Sequence, residues 1–504
     1  MSKKKKIFKN TSLLYVRQLF TLALSLYTSR LTLQILGASD FGIYAAVGGF
    51  TALLNILTSS MAGSGQRFLT FELGKGNKDR LLAVFNTFFQ LMLGLSLLLI
   101  LLAETLGVWF LNSFLIIPAE RHDVAFWVFQ FSIFACVLNI INAPYNAVVV
   151  AHEDMGKFAL FSIADAILKL VFVALLFVVR WDKLLTYAFL LLLIQMIDRI
   201  IMWIYCRRYE EAHFRWGIDR SIIRQMSGFA GWTLLSNLSI IGFAQGVNVL
   251  LNICFGPLVN AAFTVANQAY SGIRSFCSSF QLACNPQIVK TYSQQQLDEL
   301  NQLLLFVCKM SFFLVFLLSL PFLVNADYIM RLWLVDVPQH AVEFFTVLLL
   351  YAYLDVFAYP LDTAAQATGR LKTYTLRTSL LLLTILPIGY IGYRHCGLLP
   401  EGIYAIAIVI GFVGIMVRLV TLRQSVCLRV MPFLVVQLRC IAIAVCSFFI
   451  AHIAKRYMAD TLPMVALSFF LCIAESLFFI AAFGMNRSER NKIWGLVKNK
   501  AFKK

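Results

Sequence analysis

Charged residues are scarce in this chain. They make up 13% of its 504 residues, whereas hydrophobic residues make up 60%. A set of soluble domains of this total length needs far more charge to solvate its surface, so that class of protein is excluded. Negative charge is the scarcer sign, with 25 Asp and Glu against 43 Lys and Arg. The composition therefore favours a protein that exposes most of its surface to lipid.

Sequence motifs of enzymes and of nucleotide-driven pumps are also missing. The chain has no P-loop, no HExxH, no DxD between apolar runs and no Ser/His/Asp grouping in one loop, so we expect no catalytic site. Its eleven cysteines are scattered singly without CxxC or Cys/His spacing, which predicts neither a metal site nor a disulfide framework. No cofactor is expected, and any active transport must be driven by an ion gradient, with H⁺ or Na⁺ as candidate coupling ions, by the membrane potential, or by consumption of the product on the far side.

Long apolar runs are abundant instead. A bilayer core needs about 20 mostly apolar residues per helix, and fourteen stretches satisfy this requirement. The predicted fold is an all-α polytopic membrane protein of about fourteen helices. Its spans are 12–36, 41–63, 83–111, 124–150, 158–180, 184–206, 226–255, 258–285, 301–325, 341–366, 374–393, 402–422, 434–453 and 462–484.

The distribution of Lys and Arg predicts the orientation, because basic residues stay on the cytoplasmic side. With the N-terminus inside, most basic residues fall in inner segments, including Lys3 to Lys6, the 207–225 connector and the tail after Arg487. The run after Lys6 is long and lacks a small-residue cleavage site, so it reads as a first span rather than a signal peptide. Both termini are expected in the cytoplasm. The flanking charge favours contact with anionic membrane lipids and not with nucleic acid.

The two halves of the chain resemble each other weakly. Towards the end of the fourth span Pro144 and Asn146 align with Pro360 and Asp362 of the tenth, and Asn139 aligns with Asp355. This indicates a parallel repeat of six helices, and such repeats place a substrate site between two lobes. Chance similarity among apolar helices is the alternative. The predicted domains are an N-terminal lobe at 1–206, a linker at 207–225, a C-terminal lobe at 226–425 and two further helices with a basic tail at 426–504.

The eighth span carries the clearest polar pattern. Polar residues recur there at steps of three and four, which places them on one helical face, and a polar residue in a span normally faces protein or water. The stripe consists of Asn267, Ser271, Arg274, Ser278, Gln281 and Asn285. Either it lines a water-filled substrate path or it is a structural polar interface between helices. Arg274 is the leading binding candidate, because a guanidinium matches phosphate or carboxylate oxygens with two parallel hydrogen bonds.

Equivalent spans supply further candidates for the same path. Asn237 and Asn248 lie in the seventh span, Asn55 in the second, and Arg30 near the outer end of the first. Arg30 either reaches the path or extends to the membrane surface. In the tenth span Asp355 and Asp362 share a face and are candidates for binding a coupling cation or proton, although Asp362 lies near the inner interface. Asp165 and Lys169, four residues apart, read as a self-neutralising ion pair.

Two motifs resemble one family. They are Arg30-Leu-Thr-Leu-Gln-Ile-Leu-Gly37-Ala-Ser-Asp40-Phe-Gly-Ile-Tyr44 and, in the second half, Phe255-Gly256-Pro257 through Asn267-Gln268 to Asn285-Pro286-Gln287. They are similar to the Wzx-type flippases of O-antigen or capsule polysaccharide, especially those of Bacteroides-type bacteria, which belong to the MATE-like MOP superfamily. The resemblance covers nearly the whole chain, although each motif is only moderately specific.

The resemblance implies a V-shaped pair of six-helix lobes around a cationic central cavity. It also implies that a polyprenyl-pyrophosphate-linked oligosaccharide is moved from the inner to the outer leaflet of a bacterial inner membrane, alongside glycosyltransferases and a polysaccharide polymerase. The first alternative is a MATE-type cation-coupled drug or metabolite antiporter, a class that usually has twelve spans and an acidic cavity. The second is a polytopic polymerase or glycosyltransferase, which needs acidic residues in a sizeable outer loop.

Overall fold

A computed structural model of the chain describes residues 3–113, 119–217, 219–333, 337–459 and 461–485. Within these ranges the secondary structure is helical, with no strand. The α-helices are α1 Lys3–Lys75, α2 Lys78–Leu102, α3 Val108–Ser113, α4 His122–Ala151, α5 Met155–Leu175, α6 Lys183–Cys206, α7 Arg220–Phe255, α8 Pro257–Ser293, α9 Leu297–Val324, α10 Ala326–Trp333, α11 Ala341–Thr368, α12 Lys372–Leu383, α13 Ile385–His395, α14 Gly402–Val426, α15 Val430–Arg456 and α16 Leu462–Phe479.

These helices confirm an all-α polytopic membrane protein. Among the described residues, eleven helical segments are long and apolar enough to cross a bilayer. The long helix α1 contains the first two predicted spans, which meet at a kink where Gly37 has φ 76°. That backbone conformation is favourable only for glycine, which explains the residue within the first motif. Helix α8 is less apolar than the eleven because of its polar stripe.

Prolines lie inside several of the helices and explain one break between them. Helices α4 and α11 each contain one proline, Pro144 and Pro360, at the positions that the repeat aligns. The predicted eleventh span is divided into α12 and α13 at Thr384. Pro387 lies just beyond this division and has no N–H to donate to the carbonyl four residues earlier, so the hydrogen-bond ladder is interrupted there.

The chain forms two compact units, which we call unit 1 and unit 2. Unit 1 comprises Met1–Leu238, Leu282–Gln296 and Gly369–Lys372, and unit 2 comprises Ser239–Gln281, Leu297–Thr368 and Thr373–Lys504. The division falls inside α7 and α8, not in the 207–225 connector that the sequence predicts as the boundary. The reason is visible within unit 1, where the ends of these helices pack against the first half of the chain.

Each unit has its own apolar core. In unit 2, side chains from α7, α8, α11 and α14 bury one another, with Phe263 against Phe344 and Tyr404. In unit 1, a second core joins α1, α4 and α6, with Phe129 and Leu184 almost fully enclosed. Apolar side chains between helices stabilise contacts mainly by close packing, because lipid tails are as apolar as the side chains themselves. Each core fixes the helices that carry the polar groups described below.

The connector 207–225 lies against the first half of the chain. Lys78 Nζ is 2.8 Å from Glu210 Oε2, His152 contacts Glu211, and Arg208 contacts Asp154. These contacts gather the basic ends of α2, α4, α5 and α6 at one end of unit 1, which we call the basic end.

The motif residue Asp40 has a structural partner in unit 1. Arg121 lies between two carboxylates, with Nη2 2.5 Å from Asp40 Oδ2 and Nη1 in contact with Asp182. The guanidinium therefore joins α1 to the segments that precede α4 and α6. Asp40 is mostly buried, and the pairing with Arg121 compensates its negative charge.

Candidate functional site

Arg274 lies in the middle of α8 and is paired with Asp355 of α11. Its Nη2 and Nε atoms are 2.6 and 2.9 Å from Asp355 Oδ2. The side chain of Arg274 is 23% exposed, so it is not fully enclosed by the pairing. The sequence singles out both residues but for separate roles, and the structure brings them into contact within unit 2. Their pairing neutralises two charges that are costly inside a membrane.

Gln281 differs from its neighbours in the stripe. Its side chain is fully buried, donates to Ser311 Oγ and to the carbonyl of Val356, and accepts a hydrogen bond from Arg274 Nη1 at 3.4 Å. The expectation that Gln281 lines an open path is therefore wrong for this structure. Its amide instead joins α8 to α9 and α11 and supports Arg274, which is the structural role that polar residues take between membrane helices.

Asn267, Ser271 and Ser278 form the accessible part of the stripe. Ser271 is exposed, and Asn267 and Ser278 are half-buried. The two hydroxyls donate to carbonyls of their own helix, Ser271 to Asn267 and Ser278 to Arg274. Serines in a helix commonly make such bonds. Together with Arg274 they form a polar face of unit 2, which we call the α8 face.

Asp362 is also paired with an arginine. It accepts from Arg418 Nε of α14 at 2.9 Å and from the hydroxyl of Tyr374 of α12. Sequence reasoning missed Arg418, although it is the single cation within its apolar span, which was a usable signal. Both carboxylates that were predicted to bind a coupling ion thus face a guanidinium, and the α11 side of unit 2 holds two half-buried ion pairs.

Of the remaining predicted site residues, the structure describes the side chains of Asn237, Asn248 and Asn285. Asn237 donates to Ser60 Oγ within unit 1, and the half-buried Asn285 also belongs to unit 1. Asn248 lies in unit 2 and donates to a carbonyl of its own helix. Arg30 and Asn55 lie in α1, but their side chains are outside the described residues. The common path that the sequence predicts for all of them stays a prediction.

Ionisable groups elsewhere in unit 1 fit a structural role. Lys169 Nζ is 2.7 Å from Asp165 Oδ2, which confirms the ion pair that their spacing predicts. Within the described ranges, no group of three or more His, Cys, Asp or Glu side chains is placed to hold a metal ion.

Comparison with a family of proteins described as "polysaccharide biosynthesis protein" gives a match over residues 7–292, more than half of the chain. The chain belongs to this family. The match includes α1 to α8 and hence the stripe on α8. A comparison with curated protein sequences finds no match.

Solved structures show that this family member has the fold of MATE transporters. A MATE protein in its bent conformation matches with a TM-score of 0.72 at 16% identity, over 84% of this chain and 95% of that one. A multidrug resistance MATE transporter in an outward-facing conformation gives a TM-score of 0.71 at 14% identity, over 84% and 98%. A MOP superfamily transporter from Pyrococcus furiosus gives 0.69 at 14% identity, with the same coverage. The resemblance inferred from the two motifs is confirmed for family and fold.

The exposure of side chains on the α8 face predicts that water reaches this face. In single cysteine variants at Asn267, Ser271 and Ser278, we expect reaction with a charged, water-soluble maleimide, whereas Gln281→Cys is expected to be protected because that side chain is enclosed. Peptide mass spectrometry distinguishes each site from the eleven native cysteines. Protection of Ser271→Cys to the same degree as Gln281→Cys would show that the face points to lipid or protein and carries no water.

Proposed function

We propose that this protein moves a polyprenyl-pyrophosphate-linked oligosaccharide from the inner to the outer leaflet of the bacterial cytoplasmic membrane. The observation that carries the proposal is Arg274, a partly accessible cation at mid-span on the polar α8 face. The family description places the chain in polysaccharide biosynthesis, and the fold is that of membrane transporters. A sugar-bearing anionic lipid needs a cation for its phosphates and hydrogen-bonding groups for its hydroxyls, and this face offers both.

The pairing of Arg274 with Asp355 supports a way to couple binding to an ion. When a phosphate binds the guanidinium, it replaces the carboxylate as partner, because both compete for the same N–H donors. Asp355 then carries an uncompensated negative charge within the membrane, which favours uptake of H⁺ or Na⁺. The substrate therefore binds one member of the ion pair, Arg274, and the coupling ion binds the other, Asp355.

The drug-antiporter alternative is less well supported by the same residues. An exporter of organic cations needs an accessible carboxylate to attract its substrate. Asp355 and Asp362 are instead each neutralised by an arginine. A glycosyltransferase or polymerase is disfavoured, because the family match and the transporter fold extend over most of the chain. We therefore favour the flippase, acting by alternating access, with the basic end of unit 1 facing the cytoplasm as the positive-inside rule predicts.

A reconstituted flipping assay tests the proposal. The full-length protein is placed in vesicles that contain a polyprenyl-pyrophosphate oligosaccharide with a fluorescent, chemically reducible label on its sugar. An impermeant reductant bleaches only the outer leaflet unless lipid is flipped, so we expect additional time-dependent bleaching with the protein present. An otherwise identical polyprenyl lipid without phosphates is the control and should not move. Efflux of a cationic dye that is driven by a proton gradient, with no flipping of the lipid, would instead identify an antiporter.

A further inference from the structure

Two turns of the chain have similar backbone geometry but different residues. Glu153 follows α4 with φ 61°, and Gly369 follows α11 with φ 74°. The two positions correspond in the repeat that aligns Asn146 with Asp362. A positive φ suits glycine and is uncommon for glutamate, which lacks the short side chain that lets Asn or Asp bond locally. Glu153 therefore carries a backbone strain that glycine avoids at the equivalent turn, and contacts of its side chain must compensate.

The side chain of Glu153 is buried among donors. It is 2% exposed, and its carboxylate accepts from Lys290 Nζ at 2.9 Å and from Gln287 Nε2. Its backbone carbonyl accepts from Asn10 Nδ2 at 3.3 Å. All of these residues belong to unit 1. One strained residue thus joins α1, the α4–α5 turn and the last turns of α8, and we call Glu153, Gln287 and Lys290 the latch.

Close packing surrounds the latch. Leu14, Val150 and Met155 bury Ala283 of α8 in a small apolar cluster. Further along the same contact, a side-chain carbon at Gly74 would lie 2.1 Å from Ser293 Oγ and 3.1 Å from Lys290 Cα, so only glycine fits. The basic end of α8 is therefore packed tightly against α1, α4 and α5.

We propose that the latch holds this end of the protein closed and that its release admits substrate from the side of the basic end. The inference rests on the proposed function, since alternating access requires this end to open in one state. Lys290 is suited to release, because its flexible stem ends in a strongly hydrated ammonium, and its side chain already borders water at 19% exposure. Glu153 is the immobile member of this ion pair, because its side chain is enclosed at the α4–α5 turn.

The test uses the full-length protein and a native reporter. Cys284 is buried on α8, one turn before Gln287, and the proposal predicts that release of the latch makes it accessible. We expect Glu153→Gly to raise its rate of alkylation by N-ethylmaleimide about tenfold or more, since removal of a buried ion pair shifts a two-state equilibrium at least that far. Glycine relieves the strain of the turn, so this variant is expected to fold. Peptide mass spectrometry reads each cysteine separately.

Matched measurements keep the inference falsifiable. Lys290→Met should raise alkylation of Cys284 as well, and the double variant should not exceed the larger single effect, because both remove one interaction. Buried Cys206 of α6 is the control, and an equal rise there would indicate general loosening and contradict the latch. Unchanged alkylation of Cys284 in both variants would also overturn it. The readout needs no substrate, so a failure of lipid flipping with a normal Cys284 response would refute only the proposed function.

Discussion

Arg274→Ala is expected to abolish surface polysaccharide. The change removes the partly accessible cation of the α8 face and leaves Asp355 unpaired within the membrane. Loss of the cation that is proposed to pair with a substrate phosphate costs about 2–5 kcal/mol of binding free energy, so we expect transport to fall about a hundredfold or more. The measurement is surface polymer yield in cells, with the amount of the protein in the membrane determined in parallel.

Two additional variants separate substrate binding from folding. Arg274→Ala combined with Asp355→Asn leaves no unpaired charge, and this double variant should restore the amount of folded protein but not transport. Arg274→Lys keeps the charge but loses the bidentate geometry, so partial transport is expected. Wild-type polymer yield in the double variant would show that Arg274 does no more than neutralise Asp355, and the proposed phosphate site would be withdrawn.

Arg418→Ala is expected to give the largest loss of stability. In the native protein Asp362 of α11 accepts hydrogen bonds from Arg418 and from the Tyr374 hydroxyl. Among the described residues, the variant leaves it with the Tyr374 hydroxyl alone. Removal of one member of a fully buried pair typically costs about 3–5 kcal/mol, and we expect a smaller cost here because Arg418 and Asp362 are 20% and 35% exposed. We expect a lower melting temperature of the purified protein and less of it in membranes. Arg423→Ala is the matched control, since this arginine is exposed near the end of the same helix.

A double variant that removes both charges of this pair shows whether Asp362 also takes part in transport. Arg418→Met with Asp362→Asn removes both charges and should recover most of the stability. If Asp362 is purely structural, the double variant transports with an unchanged pH dependence. If it takes up a coupling proton, transport becomes independent of pH although the protein is folded. A double variant as unstable as Arg418→Ala would contradict the assignment of the two residues as a pair.

Much of the fold was readable from the sequence because a bilayer imposes simple rules. Every span must be apolar over about 20 residues and must satisfy its backbone internally, so hydropathy alone identifies the helices. The kink at Gly37 also follows from residue chemistry, because a positive φ favours glycine. The spacing of Asp165 and Lys169 was sufficient to predict their ion pair, because residues four apart on a helix are neighbours.

The candidate site was only half predictable. Periodicity placed Asn267 to Asn285 on one face of α8, but a helical wheel does not say which part of a face is covered by another helix. Gln281 is enclosed by α9 and α11, whereas Ser271, three turns earlier, is exposed. The partners of Arg274 and Asp362 come from helices distant in sequence, and no local pattern announces such pairs. Arg418 stands out in the sequence as the single cation of its apolar span, but its pairing with Asp362 does not.

By itself the sequence determined that this is a polytopic helical membrane protein with clustered basic residues and a cation at mid-span, since these properties depend on composition and local spacing. The tertiary structure decided which charges neutralise each other, where unit 1 ends and why Glu153 occupies a turn that favours glycine. Those answers depend on contacts of α4 with the end of α8 within unit 1, and of α11 with α8 and α14 within unit 2. Such contacts are set by the packing of whole helices and not by the residues next to each group in the chain.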